Sequence, residues 1–150
     1  MSDDQVKAEI KAYLSDKSHL FLNLATVTPE GAPLAHTVAF AAQGATVYFG
    51  TSPASRKVAD MLANPKVAYV VDQDQYASFA AITGVQMEGL ASQVTDAQEI
   101  AQANALYQSK LGEGVSITPS EQHIVFKIEP VRAYYLNYAK GFAHKDLVEY

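Results

Sequence analysis

Near the start of the chain Val6, Ile10, Tyr13 and Leu14 recur at helical spacing. Ahead of them Ser2 and Gln5 stand three residues apart, as in a capping box. The spacing predicts a helix over residues 2–14. After Ser18 the period shortens. Residues 20–27 (LFLNLATV) are apolar and partly alternating, which predicts a strand. Thr28-Pro29-Glu30-Gly31 then reads as a turn: Pro presets its φ and Gly accepts a positive one. Further strands are expected over 33–42 and 46–51, joined at Gln43-Gly44.

A short helix follows. Ser52 is its expected cap, Pro53 its first position, and Val58, Met61 and Leu62 its buried stripe, with Asn64-Pro65 as the stop. Residues 66–72 predict a fourth strand. A fifth lies within 79–94, interrupted by Gly84 and Gly89 in positions that suggest a bulge or a close backbone approach. Asp96 and Glu99 open a helix over about 97–111, with Ile100, Ala103, Leu106 and Tyr107 inward. Residues 112–122 read as a loop. Two strands, 123–128 and 132–138, are separated by Pro130, and 139–150 show no clear period. Strands dominate and short turns join neighbours, so antiparallel pairing is expected. A doubly wound parallel sheet is excluded, because it needs a helix after each strand. The fold class is mainly β with flanking helices, a closed or split antiparallel barrel.

At 150 residues, 49% of them hydrophobic and 18% charged, the chain suits one globular domain over 1–150. It has no Cys, which excludes disulfides, thiolate metal sites and a Cys nucleophile, and fits a reducing compartment. The net charge of −5 argues against nonspecific nucleic-acid binding. The N-terminus is acidic where a signal peptide would be basic then apolar, and no apolar run approaches the ~20 residues of a membrane helix. A cytoplasmic location is expected.

Three segments could carry chemistry. In Thr51-Ser52-Pro53-Ala54-Ser55-Arg56-Lys57 a strand ends in hydroxyls and a helix begins with two cations, a pattern suited to an anion. Gly50 just before it could let a flat ligand approach the backbone. A capped helix with solvated cations has the same pattern. However, Arg56 is one of only two Arg, and a cation in a first helical turn opposes the dipole unless an anion sits there. In the second strand His36 and Val38 point to one face and Thr37 to the other, where polar groups could meet a heterocycle or stay exposed. The C-terminal aromatics Tyr134, Tyr135, Tyr138 and Phe142, followed by His144, suit a stacked ring, a dimer interface or core packing equally. The four His show no metal-ligand spacing. There is no G-x-S-x-G elbow, no Walker lysine motif and no dinucleotide glycine fingerprint.

The run LATVTPEGAPLAHTVAF followed by VYFGTSPASRKVADMLANPKVAYVV resembles the pyridoxamine 5'-phosphate oxidase-like, FMN-binding split-barrel family. Ser55-Arg56-Lys57 before an apolar helix and Asn64-Pro65 is the more specific element. VQMEG at 85–89 and the pattern Phe126-x-Ile128-x-Pro130-x-x-x-Tyr134 match in type. The resemblance implies a six-stranded antiparallel split β-barrel that forms a homodimer with two FMN molecules at the subunit interface. Arg56 and Lys57 would bind the phosphate with Ser55 nearby. Gly50 and Thr51 would line the cofactor. His36, Thr37 and Val38 would run along the isoalloxazine edge, mostly through backbone groups. Gln86 would be a further contact, and Tyr135, Phe142 or His144 would come from the partner chain.

Where the true oxidases carry basic residues at both ends of the second strand, this chain has Ala35 and Phe40, and its tail reads GFAHKD instead of an Arg-His-Arg pattern. The resemblance therefore points to the small split-barrel flavoproteins, and to an FMN-dependent oxidoreductase acting on a small substrate. Three other functions fit the same fold: a non-catalytic FMN electron carrier, a haem-binding or haem-degrading protein with His144 on the iron, and a deazaflavin-dependent reductase.

Overall fold

The computed structural model describes residues 1–150. Helix α1 (Asp3–Ser15) opens with both halves of the capping box in place: the Ser2 N–H donates to Gln5 Oε1 at 2.8 Å and the Gln5 N–H to Ser2 Oγ at 3.3 Å. Its apolar stripe, Val6, Ile10, Tyr13 and Leu14, is buried as the spacing requires. Strands β1 (Phe21–Val27), β2 (Pro33–Ala39), β3 (Ala41–Gln43) and β4 (Thr46–Thr51) follow. The β1–β2 and β3–β4 turns use Gly31 and Gly44, both at positive φ (86° and 61°), where glycine has no steric penalty. Then come α2 (Arg56–Ala63), β5 (Lys66–Val71), β6 (Thr83–Val94), α3 (Ala97–Leu111), β7 (Ile124–Asn137) and β8 (Lys145–Glu149).

The strands form one antiparallel sheet in the order β2-β1-β5-β6-β7-β4-β3, with β8 added on β7. Strands β2 and β3 lie at opposite ends of this path, yet only Phe40 separates them in sequence. A flat sheet cannot satisfy a one-residue link between its ends, since one residue spans at most ~3.6 Å. The sheet therefore curls until its ends meet without pairing, a split half-barrel with helices at its rim. Phe40 is fully buried inside it. The inward positions of alternate strands (Leu22, Leu24, Phe49, Val71, Met87, Phe126, Ile128) form the main core, and Ile10 and Leu14 of α1 close one side. A smaller cluster on the outer face, built on Tyr48, Val125, Ala103 and Tyr107, packs α3 against the barrel.

Several boundaries differ from the sequence reading. The sheet has eight strands, not six. The segment 33–42 divides at Phe40 into β2 and β3, and the tail contributes β8. Pro130 does not end a strand: β7 runs through it, because Pro130 faces Gly89 where the β6–β7 register shifts and Val131 is skipped in the pairing. A bulge is where a strand tolerates a residue without an N–H. Helix α2 starts at Arg56 with Ser55 as N-cap, whereas 52–55 form a turn closed by the Ser55 N–H on the Ser52 carbonyl at 3.0 Å. Leu62 is 64% exposed, and Asp60 takes a buried place beside Val58 and Met61.

The bulge makes a stability prediction. A Cβ at Gly89 would lie 2.5 Å from Ile128 Cγ2 and 2.7 Å from the Glu129 carbonyl oxygen, whereas one at Gly114 meets nothing. Chemical denaturation should show Gly89→Ala destabilised by about 1–3 kcal/mol. Gly114→Ala should stay within about 0.5 kcal/mol of the parent. Equal stability of the two variants would contradict the close approach of β7 to Gly89 at the bulge.

Candidate functional site

The end of β4, the turn 52–55 and the first residues of α2 form a cradle of hydroxyls and cations. Thr51 is buried at the last position of β4. The Lys57 ammonium donates to Ser55 Oγ at 2.8 Å and to Thr51 Oγ1 at 3.3 Å. Because those oxygens accept from Lys57, their own O–H protons are free to point away from it. Ser55 makes no side-chain cap to the helix, and the N–H groups of Arg56 and Lys57 find no acceptor in the chain. The first turn of α2 has no acidic residue, and neither Arg56 nor Lys57 forms an ion pair. By contrast, Arg132 makes two hydrogen bonds to Glu88, at 2.8 and 3.1 Å. Burial holds the Lys57 ammonium below its usual range.

His36 joins this cradle from β2. Its Nε2 lies 3.1 Å from Thr26 Oγ1, and Thr26 Oγ1 donates to Asp60 Oδ2 at 3.1 Å. Burial, then the nearby Lys57 and Arg56 charges, lower the His36 pKa, with Asp60 opposing. Thr26 and Asp60 were not among the expected site residues. The available signal was a polar residue in an apolar register: Thr26 continues the inward alternation of Leu22 and Leu24, and Asp60 lies between Val58 and Met61.

The other expected positions separate. Val38 faces the core, so only its backbone is offered to a ligand; β2 pairs on one edge alone and leaves the other edge free. Thr37 points outward and donates to Asn23 Oδ1 at 3.2 Å. Gly50 makes room for protein, not for a ligand face: a Cβ there would collide with Nε2 of His123 and lie 2.9 Å from Ile117 Cγ2. Gln86 lies on the outer face in an open groove of ≈ 310 Å³ beside Asn23, Ala25, Ala68 and Tyr134. Tyr135 is a correction. Its ring is buried edge-on against Tyr13, centroids 5.8 Å apart, so its face packs within this chain instead of standing free to stack. Phe142 is 82% exposed and stacks on Phe79 at 5.7 Å, with Tyr138 edge-on to Phe79 at 5.6 Å. His144 Nε2 lies 3.2 Å from Asp146 Oδ2. A single chain thus gathers His36, Thr51, Ser55, Arg56 and Lys57, and leaves Gln86, Phe142 and His144 elsewhere on its surface.

A curled antiparallel half-barrel with flanking helices defines a split-barrel protein. Comparison with known proteins agrees on the class: residues 5–137 match the pyridoxamine 5'-phosphate oxidase family, and the chain belongs to it. No curated protein matches it significantly. Among solved structures it is similar to the heme binding protein from Mycobacterium smegmatis (TM-score 0.78, 19% identity, 95% of this chain and 57% of that one). It is also similar to ChuZ of Campylobacter jejuni (TM-score 0.79, 17% identity, 99% and 61%) and to General Stress Protein 26 of Bacillus anthracis (TM-score 0.68, 19% identity, 97% and 99%). The chain spans less than two thirds of the first two proteins, and at these identities the likeness is one of fold.

The lowered His36 pKa sets a pH dependence. Between that value and the unfolded 6.5 the unfolded chain binds more protons than the native one, so stability rises with pH. The His36 contribution is complete above pH 6.5 and is lost as pH falls through the folded value. Proton NMR titration should place the His36 midpoint below 6.5; a midpoint above it would contradict the environment described.

Proposed function

We propose that this chain is an FMN-binding flavoprotein, an oxidoreductase acting on a small substrate, which works in the cytoplasm as a homodimer with the cofactor at the subunit interface. The observation that carries the reading is the Arg56–Lys57 pair, set at a helix start among hydroxyls with no carboxylate to neutralise it. Such a donor set fits a phosphate dianion: two cations, two hydroxyls with free protons, and unpaired N–H groups at the positive end of a helix. Arg56 would grip two phosphate oxygens through its planar fork, and Lys57 would add a point charge. Bound FMN would supply hydride or electron transfer, and the protein would position it and set its surroundings.

The free backbone edge of β2 along His36, Thr37 and Val38 offers hydrogen bonds to a flat ring without side-chain bulk. Phe142, stacked with Phe79 and exposed, is the aromatic available to cover a ring held by the partner. An isologous twofold would build two equivalent sites at one interface, with Gln86 and the outer groove on the contact side.

A second reading, haem binding, is favoured by the His144–Asp146 pair. A carboxylate that holds one imidazole nitrogen is the usual support for a metal-ligating histidine, and here it leaves Nδ1 for the iron. The similarity to the Mycobacterium smegmatis heme binding protein supports it.

One spectrum separates the readings. Protein mixed with FMN and desalted should carry a flavin spectrum with one FMN per chain, and a Soret band with added haem that disappears in His144→Ala would put the second reading first. The Arg56→Ala/Lys57→Ala double variant should fold normally and lose FMN. Two charge-assisted hydrogen bonds removed correspond to about a hundredfold or more in affinity. Retained stoichiometric FMN would refute the assignment, and a stable monomer carrying FMN in sedimentation would refute the shared site.

A further inference from the structure

We infer that Asp60 and Thr26 act as a relay that fixes the tautomer of His36, so that His36 presents a proton-accepting Nδ1 to a hydroxyl of the ligand held by Arg56 and Lys57. The inference rests on the proposed phosphate site and adds what the ligand must carry next to its phosphate.

Thr26 has one hydroxyl proton, and Thr26 Oγ1 gives it to Asp60 Oδ2 at 3.1 Å. A carboxylate only accepts, so the direction of that bond is set. With its proton committed, Thr26 Oγ1 can serve His36 Nε2, 3.1 Å away, only as an acceptor. Nε2 must therefore carry the ring hydrogen, and in the neutral ring Nδ1 is left with a lone pair. Asp60 and Thr26 are 5% and 1% exposed, so neither can readily turn to water for another partner. Nδ1 has no hydrogen-bond partner in the chain and is not sealed from solvent.

Burial and the Lys57 charge, then Arg56, disfavour protonation of the imidazole and together outweigh the opposing Asp60 carboxylate. The result is one neutral acceptor beside a cluster of donors. A bare phosphate is served by Lys57, Arg56 and the hydroxyls alone. An acceptor is useful only to a ligand that also brings an O–H or N–H donor within reach, which makes the preferred class a phosphate ester of a polyhydroxylated chain. The ribityl phosphate arm of FMN belongs to that class. Asp60 and Thr26 touch no ligand in this account; they are positioning residues.

Nitrogen NMR of the ligand-free protein at pH 8 reads the tautomer directly. Wild type should show the hydrogen on Nε2 of His36. Thr26→Val, close in shape, should remove the preference and populate both tautomers, and FMN affinity should fall in proportion to the Nε2–H fraction that remains, about twofold at equal populations. Arg56→Ala/Lys57→Ala should lose FMN yet keep the Nε2–H tautomer, because the relay lies outside the cations. An Nδ1–H tautomer in wild type, or a tautomer unchanged in Thr26→Val, overturns the relay. The predicted tautomer change with unaltered FMN affinity overturns the ligand contact. Wild type that shows the Nε2–H tautomer but binds no FMN overturns the proposed function and the ligand contact while the relay stands.

Discussion

The one-residue link at Phe40 is the constraint on which the rest of the molecule depends. Strands β2 and β3 are the two ends of the hydrogen-bonded path, and Phe40 joins them while its own N–H bonds the Leu20 carbonyl at 3.2 Å. The sheet has to curl to make that join, and the enclosed face becomes the core. Burying a ring of this size contributes about 1.5–3 kcal/mol, and the Lys110 ammonium 3.4 Å from the ring centroid covers it from the α3 side. Since the ends meet without pairing, β2 keeps one free edge. The geometry that closes the barrel thus also leaves unpaired backbone where a flat ligand would be received.

Charge placement at the start of α2 is unfavourable by itself. Two cations in the first turn oppose the helix dipole, and the one nearest the barrel is partly desolvated. The chain's other Arg is paired, Arg132 with Glu88, and Lys127 meets Glu99 at 3.0 Å. Buried Asp60 lies on the same helix but is turned to Thr26, not to the cations. An arrangement that costs stability in the free protein and would be relieved by a dianion is one expected of a binding site rather than of a scaffold.

The alternation of Leu22 and Leu24, the Ser2–Gln5 cap and the Ser55-Arg56-Lys57 pattern made the barrel class and the phosphate-cradle hypothesis legible from residues alone. What escaped has specific causes. Pro130 looks like a strand end because proline lacks an N–H, but a bulge opposite Gly89 needs none there, and that pairing is nonlocal. Strand β8 has no period of its own; it exists because β7 offers it an edge. Pro53 suits a first helical position, yet the Ser52–Ser55 turn delays the helix to Arg56. Gly50 reads as room for a ligand until the fold brings His123 onto it, and Tyr135 reads as a surface aromatic until α1 places Tyr13 against its edge. The Asp60–Thr26–His36 chain joins residues 34 and 10 positions apart, a separation at which no local pattern can disclose hydrogen bonding.

The central claim is that the cradle recognises a phosphate on a flavin. Equilibrium titration of the wild-type chain with FMN and, in parallel, with riboflavin, which shares the ring and polyol arm but lacks the phosphate, tests it most directly. The account predicts one FMN per chain and a riboflavin affinity lower by about a hundredfold or more. Equal affinities would contradict it, because Arg56 and Lys57 would then contribute nothing to recognition.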